Sequence, residues 1–229
     1  LVAPNGQKIA VNFDLGKVSF LDLQSDQLVD VANGIGGFGV ESAWSPNGRW
    51  LALTQSFNGL FFLINVEIIE SLPFHELGSL HYPAWSPDSQ QLALIQDSLE
   101  GSNLILLNPE DMTFQQLLSM PTEMRDLLWS PDGSQLAFSI WHDNGISLGV
   151  INVGEGEYRE LWHIPDARRF TIPAWSPDTR YLAVQPDGEA ILRILDTQTW
   201  ESVVDLSVRD TLNLGTAWSP KGSYVASVD

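Results

Sequence analysis

A chain of 229 residues with 29 acidic against 11 basic side chains, formal net charge −18, repels phosphate backbones and anionic headgroups, so nucleic-acid and membrane-surface partners are disfavoured. The absence of cysteine removes disulfides, thiol catalysis and cysteine-bound zinc, and leaves the redox compartment open. Hydrophobic content of 44% is ordinary for a globular protein, and no apolar run approaches the ~20 residues of a membrane helix.

In chain order, the first recognisable element is a worn phrase, Val2-Ala3-Pro4-Asn5-Gly6. It returns clearly as Ala43-Trp44-Ser45-Pro46-Asn47-Gly48 and Ala84-Trp85-Ser86-Pro87-Asp88-Ser89. Three more copies follow: Leu128-Trp129-Ser130-Pro131-Asp132-Gly133, Ala174-Trp175-Ser176-Pro177-Asp178-Thr179 and Ala217-Trp218-Ser219-Pro220-Lys221-Gly222. Their prolines are 42, 41, 44, 46 and 43 residues apart. A period near forty, filled with short apolar runs and turn residues, predicts propeller blades. The third unit shows the pattern best: strands over His81–Ser86, Gln91–Ile95, Asn103–Leu107 and Phe114–Leu118, separated by turns and a polar stretch, Asp97 to Ser102. The reading is an all-β propeller of four-stranded antiparallel blades, at about 1–33, 34–76, 77–119, 120–163, 164–208 and a partial 209–229, in one domain. Because the sixth blade shows only two strands and the chain opens mid-repeat on Leu1, the expectation is a fragment of a longer chain with cut termini. The unpaired edges of such a half blade would invite edge-to-edge self-association.

Within the phrase, proline presets φ, Asp or Asn tolerates the next turn position, and glycine supplies positive φ at the fourth. By this argument Gly133 is left-handed, while β-branched Thr179, at the same place, avoids that region and keeps a negative φ. The tryptophan would bury its face between neighbouring blades, and the small residue of Leu51-Ala52-Leu53, Leu92-Ala93-Leu94 and Leu182-Ala183-Val184 suits a crowded centre.

The phrase Trp-Ser-Pro-Asp-Gly, followed by apolar-Ala-apolar, resembles the PD40 repeat of TolB-like, WD40-like β-propellers, and the resemblance covers the whole chain. The Gly-His and Trp-Asp dipeptides of true WD40 blades are missing, which moves the likeness towards TolB. What the resemblance implies is a binding scaffold, with a periplasmic or extracytoplasmic location slightly favoured. It equally admits the gating domain of a prolyl-oligopeptidase-type serine peptidase whose catalytic domain is absent here. A sugar-processing propeller with a channel metal is a further alternative.

Two catalytic patterns match by letter and are refused. Gly34-Ile35-Gly36-Gly37-Phe38-Gly39 fits a dinucleotide fingerprint, but a strand follows where a helix N-terminus is needed. Gly145-Ile146-Ser147-Leu148-Gly149 fits a nucleophile elbow, yet Ser147 falls inside the third strand of its blade. His75, His81, His142 and His163 show no helical metal spacing and are read as occupying non-equivalent places in different blades. No catalytic residue, metal or cofactor is assigned.

If the Ser-Pro-Asp-Gly turns lie on one face, the loops after the second and fourth strands share the other, and these vary from blade to blade. Variable loops on a rigid scaffold are where binding usually sits. The expected contacts there are Glu41, Phe57, Arg125, Asp126, Trp141, His142, Asp143, Arg169 and Phe170. The partner expected is a protein segment or a small polar ligand, with neither nucleic acid nor membrane insertion.

Overall fold

A computed structural model of the chain describes residues 1–13, 17–33, 40–55, 60–68, 70–74, 78–167, 173–185, 189–208 and 215–228. Among these residues there is no helix; strands in antiparallel sheets account for the regular structure. The chain divides into two compact units, Leu1–Pro121 and Thr122–Asp229.

In the first unit, β1 (Lys8–Phe13), β2 (Lys17–Asp22) and β3 (Leu28–Asn33) form a three-stranded sheet, extended by an isolated bridge from Val2 to Ile9. The second sheet is the meander β4 (Val40–Trp44), β5 (Trp50–Gln55), β6 (Leu60–Asn65) and β7 (Glu70–Phe74). The third is β8 (Leu80–Trp85), β9 (Leu92–Ser98), β10 (Gly101–Leu107) and β11 (Phe114–Met120). The second unit repeats the plan with β12 (Glu123–Trp129), β13 (Gln135–His142), β14 (Gly145–Asn152) and β15 (Tyr158–Pro165). Its next sheet is β16 (Ala174–Trp175), β17 (Tyr181–Val184), β18 (Ile191–Asp196) and β19 (Ser202–Ser207), followed by the pair β20 (Gly215–Trp218) and β21 (Val225–Val228).

Each repeated phrase ends a first strand and builds the hairpin turn to the second. In the third sheet Ser86 Oγ donates to Asp88 Oδ1 (2.6 Å) and accepts from the Gln91 amide (2.9 Å). Asp88 Oδ1 also accepts from the Gln90 amide (3.0 Å), and the Ser89 amide closes onto the Ser86 carbonyl (2.9 Å). These bonds hold the Asp88 and Asp178 carboxyls below the usual range, the turn serine contributing most and the backbone next. The sixth turn keeps its form with Lys221 in the acid's place, because Ser219 still bonds the Tyr224 amide and the Gly222 amide still reaches the Ser219 carbonyl.

One expectation fails here. Gly133 has φ 73°, as predicted, but Thr179 has φ 62° and Ser89 φ 63°, both left-handed. The turn dictates the conformation. Ser176 Oγ bonds Asp178 (2.6 Å) and the Tyr181 amide (2.8 Å), Asp178 accepts from the Arg180 amide (3.1 Å), and Thr179 N–H reaches the Ser176 carbonyl (2.9 Å). Several hydrogen bonds of roughly 0.5–1.5 kcal/mol each outweigh the roughly 1–2 kcal/mol a left-handed residue costs.

Sheets pack face to face through the same phrase. Leu51 and Leu53 join Val18, Phe20 and Trp44 in one buried cluster, whereas Ala52, pointing the other way, joins Trp85, Leu92 and Leu94 in the next. The rule repeats: Ala10 shares a cluster with Trp44, Ala137 with Trp175 and Ala183 with Trp218. Within each unit the second-strand alanine thus packs in the same cluster as the following sheet's tryptophan, a more specific role than fitting a crowded centre. A larger residue there would collide with the indole ring. The indole N–H then donates to a first-strand carbonyl of the preceding sheet: Trp85 Nε1 to Ala43 O (3.0 Å), Trp218 Nε1 to Ala174 O (2.8 Å) and Trp44 Nε1 to Leu1 O (3.4 Å). Trp175 Nε1 is buried without a partner among the described residues.

Candidate functional site

Of the residues expected at the variable ends, Phe57, Arg169 and Phe170 lie outside the described part of the chain, as do 34–39, 56–59, 168–172 and 209–214. His75 is outside it too. The remainder sit on strands more than on loops. Asp97 to Ser102 is not a loop: Asp97 pairs with Ser102 and Ser98 with Gly101, leaving Leu99 and Glu100 as the turn. Trp141 and His142 end β13, paired with Ile146 and Gly145, so only exposed Asp143 and Asn144 turn the chain. Arg125 and Asp126 belong to β12. Polar side chains at the outer end of a hairpin carry a loop's composition on a strand's backbone, which is why the sequence misleads at these places.

Glu41 is a fastener. Its Oε2 accepts from Thr54 Oγ1 (3.0 Å) within its own sheet and from the Tyr82 amide (2.6 Å) of the next. Asp126 occupies the equivalent place three residues before its tryptophan, and Ser139 Oγ donates to it (2.7 Å) as Thr54 does to Glu41. Asp126 is left-handed (φ 59°) at a break in the β12–β13 register. Burial pushes its carboxyl upward, and the hydrogen bond from Ser139 and the charge of Arg125 only partly oppose this.

Around it the structure brings two more of the expected residues, Arg125 and Trp141. The Arg125 guanidinium lies 4.0 Å over the Trp141 ring, and its Nε donates to Glu123 Oε1 (2.6 Å). Trp141 Nε1 donates to Ser139 Oγ (3.1 Å), the same hydroxyl that bonds Asp126. A guanidinium over an indole, with the Glu123 carboxylate on its Nε, makes an aromatic and charged contact suited to polar or carboxylate-bearing groups. Ser139, the hydroxyl of this group, is buried and already engaged by Asp126 and Trp141.

His142 points to the other face of the sheet. Its Nε2 lies 3.0 Å from Glu160 Oε1 and 3.1 Å from Ser147 Oγ, and Ser147 Oγ is 3.2 Å from His163 Nδ1. The reading that spread the histidines over different blades fails for His142 and His163, which share one sheet with rings 5.3 Å apart, edge to face. The strand register carries the missed signal: Ser147 pairs directly with His163 across the β14–β15 hairpin. His142, Glu160 and His163 each direct a ligand atom into one small volume and could hold a metal. They do not form a hydrolytic triad. One nitrogen of His142 faces both Ser147 and Glu160, so no imidazole relays between them, and Ser147 is fully buried in β14. Burial opposes ionisation of Glu160, but hydrogen bonds from Ser147, His142 and Tyr158 and the His142 charge outweigh it and hold the carboxyl low.

A groove of about 430 Å³ in the second unit, lined by Leu161, Trp162, Arg193, Leu195, Trp200 and Asp205, was not anticipated. Arg193 lies 4.3 Å over the Trp162 ring and bonds Glu189 and Asp205 (3.2 Å each). Neither tryptophan belongs to the repeated phrase, and no periodic signal marks them.

No protein-family model matches the chain. The uncharacterized peptidase YuxL of Bacillus subtilis is 27% identical over 113 residues, covering 48% of this chain and 15% of that protein. Hydrazine synthase of Kuenenia stuttgartiensis superposes over 99% of this chain and 78% of its own, at 18% identity and TM-score 0.66. TolB from Acinetobacter baumannii does so over 86% of this chain and 51% of its own, at 16% identity and TM-score 0.58. The fold is a TolB-like β-propeller. At these identities the likeness is one of architecture, and the propeller scaffold hosts enzymes and binding proteins alike.

Proposed function

We propose that this propeller is a non-enzymatic scaffold that binds a protein segment or a small polar ligand at the strand ends opposite the Ser-Pro-Asp turns. The observation that carries the reading is the Arg125–Trp141 stack with Glu123 and Asp126 beside it, a pre-formed aromatic and charged contact on rigid strands. Such anchors dominate binding surfaces, because little side-chain entropy is lost when a partner arrives. Among the described residues the one serine flanked by imidazoles, Ser147, lacks relay geometry and access, which supports a binding role over a hydrolytic one.

The test uses peptides selected from a random library on the immobilised chain. Arg125→Ala and Trp141→Ala weaken their binding by tenfold or more, on the order of 1.4 kcal/mol or above. Asp132→Ala, at the opposite end of the same sheet, leaves it unchanged. Losses that follow Asp132→Ala and spare Trp141→Ala would contradict the reading.

The likeness to a peptidase favours a second reading, the gating domain of a prolyl-oligopeptidase-type serine peptidase. A natural chain that continues into a G-x-S-x-G strand–turn–helix, with Asp and His after it, would support that assignment.

A further inference from the structure

On the face of β13–β15 turned away from Trp141, two imidazoles and a carboxylate converge. His142 Nε2, Glu160 Oε1 and His163 Nδ1 come from two strands, and the ligand atoms of the three residues all lie within 4.8 Å of one another. Ser147 Oγ, buried beside them, lies 3.1 Å from His142 Nε2 and 3.2 Å from His163 Nδ1 and marks the point on which both nitrogens converge. Gly145 leaves space for the arrangement, since a Cβ there would stand 3.0 Å from His163 Cε1 and closer still to the Ile164 carbonyl. A metal ion with ligands at roughly 2.0–2.2 Å in tetrahedral geometry needs neighbouring donors about 3.3–3.5 Å apart. The donor atoms observed, from 3.0 Å up to 4.8 Å, bracket that spacing, so small side-chain rotations complete it.

We propose that His142, Glu160 and His163 form a binding site for a first-row divalent transition metal, with zinc as the reference ion, on the face of the fourth sheet. Two neutral imidazoles and one carboxylate match zinc, cobalt, nickel and copper; magnesium and calcium demand an all-oxygen set. Three protein ligands leave a fourth position for water. In the metal-free site Ser147 Oγ bonds the two nitrogens that would ligate, and a bound ion takes the place of those hydrogen bonds. The net charge of −18 concentrates cations near the surface and favours loading. The bound ion would tie the β13–β14 turn to the edge strand β15, a clamp on a sheet held there otherwise by backbone pairing.

The experiment titrates the chelator-stripped chain with Co²⁺, read by its visible d–d absorption, and with Zn²⁺ by calorimetry. One ion binds per chain, the cobalt bands have tetrahedral intensity, and zinc raises the melting temperature. Glu160→Gln and His163→Gln, which keep volume at exposed positions, each lower affinity by at least the ~10–100-fold typical of losing even an outer-shell partner. His81→Ala, which removes the histidine paired with Asp97 (3.1 Å), changes nothing. The proposal is overturned if Glu160→Gln and His163→Gln bind as the parent does, if cobalt gives only octahedral aquo-ion bands, or if zinc leaves the melting temperature unmoved. Parent and variants are compared by circular dichroism, and a variant that keeps its spectrum while losing the ion supports the site.

Discussion

Thr179 shows how a turn can override a side chain's own preference. Its left-handed φ is imposed by the Ser176–Asp178 network, so the strain is stored, and Thr179→Gly is expected to stabilise the chain by about 1 kcal/mol in denaturant unfolding. Ser89→Gly relieves the same strain but removes a hydroxyl that accepts from the Asn47 amide (3.0 Å), so it should be neutral or destabilising. Equal gains from both would show that the bond to Asn47 contributes nothing. Asp126 invites a second test at this scale. Because its folded pKa is raised, the protonated form is the one folding favours, and its contribution is lost as pH rises through that value. Asp126→Asn should therefore raise stability at neutral pH, with the gain vanishing towards acid; a gain that persists unchanged below pH 4 would point to a cause other than ionisation.

At the level of the strand, the tryptophan of each phrase does two jobs that substitution can separate. Trp85→Phe retains a buried ring and loses the hydrogen bond to Ala43, a cost of about 1 kcal/mol beyond the lost area. Trp175→Phe, whose Nε1 has no partner among the described residues, loses area and no observed hydrogen bond, and should be the milder change in thermal or denaturant melts. Emptying the site altogether, as in Trp129→Ala, costs roughly 3–5 kcal/mol, far more than Trp141→Ala at the half-buried hairpin end. The sheets and their turns were legible in the sequence because each rests on a local signal: Pro at the turn, Asp after it, apolar alternation beyond. The packing of Ala52 in one cluster with Trp85 was half legible, since period two says only that Ala52 and Leu51 face opposite ways. The convergence of His142, Glu160 and His163 was not legible. It depends on the β14–β15 register, including a break between Ser147 and Gly149 that no residue pattern announces.

For the whole molecule, the acidic composition is organised rather than merely carried. Asp22 is held low by Lys8 and then the Ser25 and Gln24 amides, Asp30 by Lys17 and Ser19, and Asp196 by the Gln198 amide and Arg180. Such lowered carboxyls stabilise the fold above the ordinary Asp value of 3.8 and lose that contribution as pH falls through their own lower values. Acid unfolding is thus expected to set in below about pH 4 and be absent between pH 5 and 8, followed by circular dichroism.

The binding face is the central claim, and nine tryptophans give it a built-in reporter. In a two-dimensional NMR spectrum each indole N–H is one resonance, and Trp141 stands at a hairpin end while Trp44, Trp85, Trp129, Trp175 and Trp218 lie at the phrases. Titration with a library-selected peptide should shift the Trp141 indole most, together with Arg125 Nε–H, and leave the phrase indoles unmoved. Shifts concentrated on the phrase indoles or on the Ser-Pro-Asp turns, with Trp141 silent, would contradict the account.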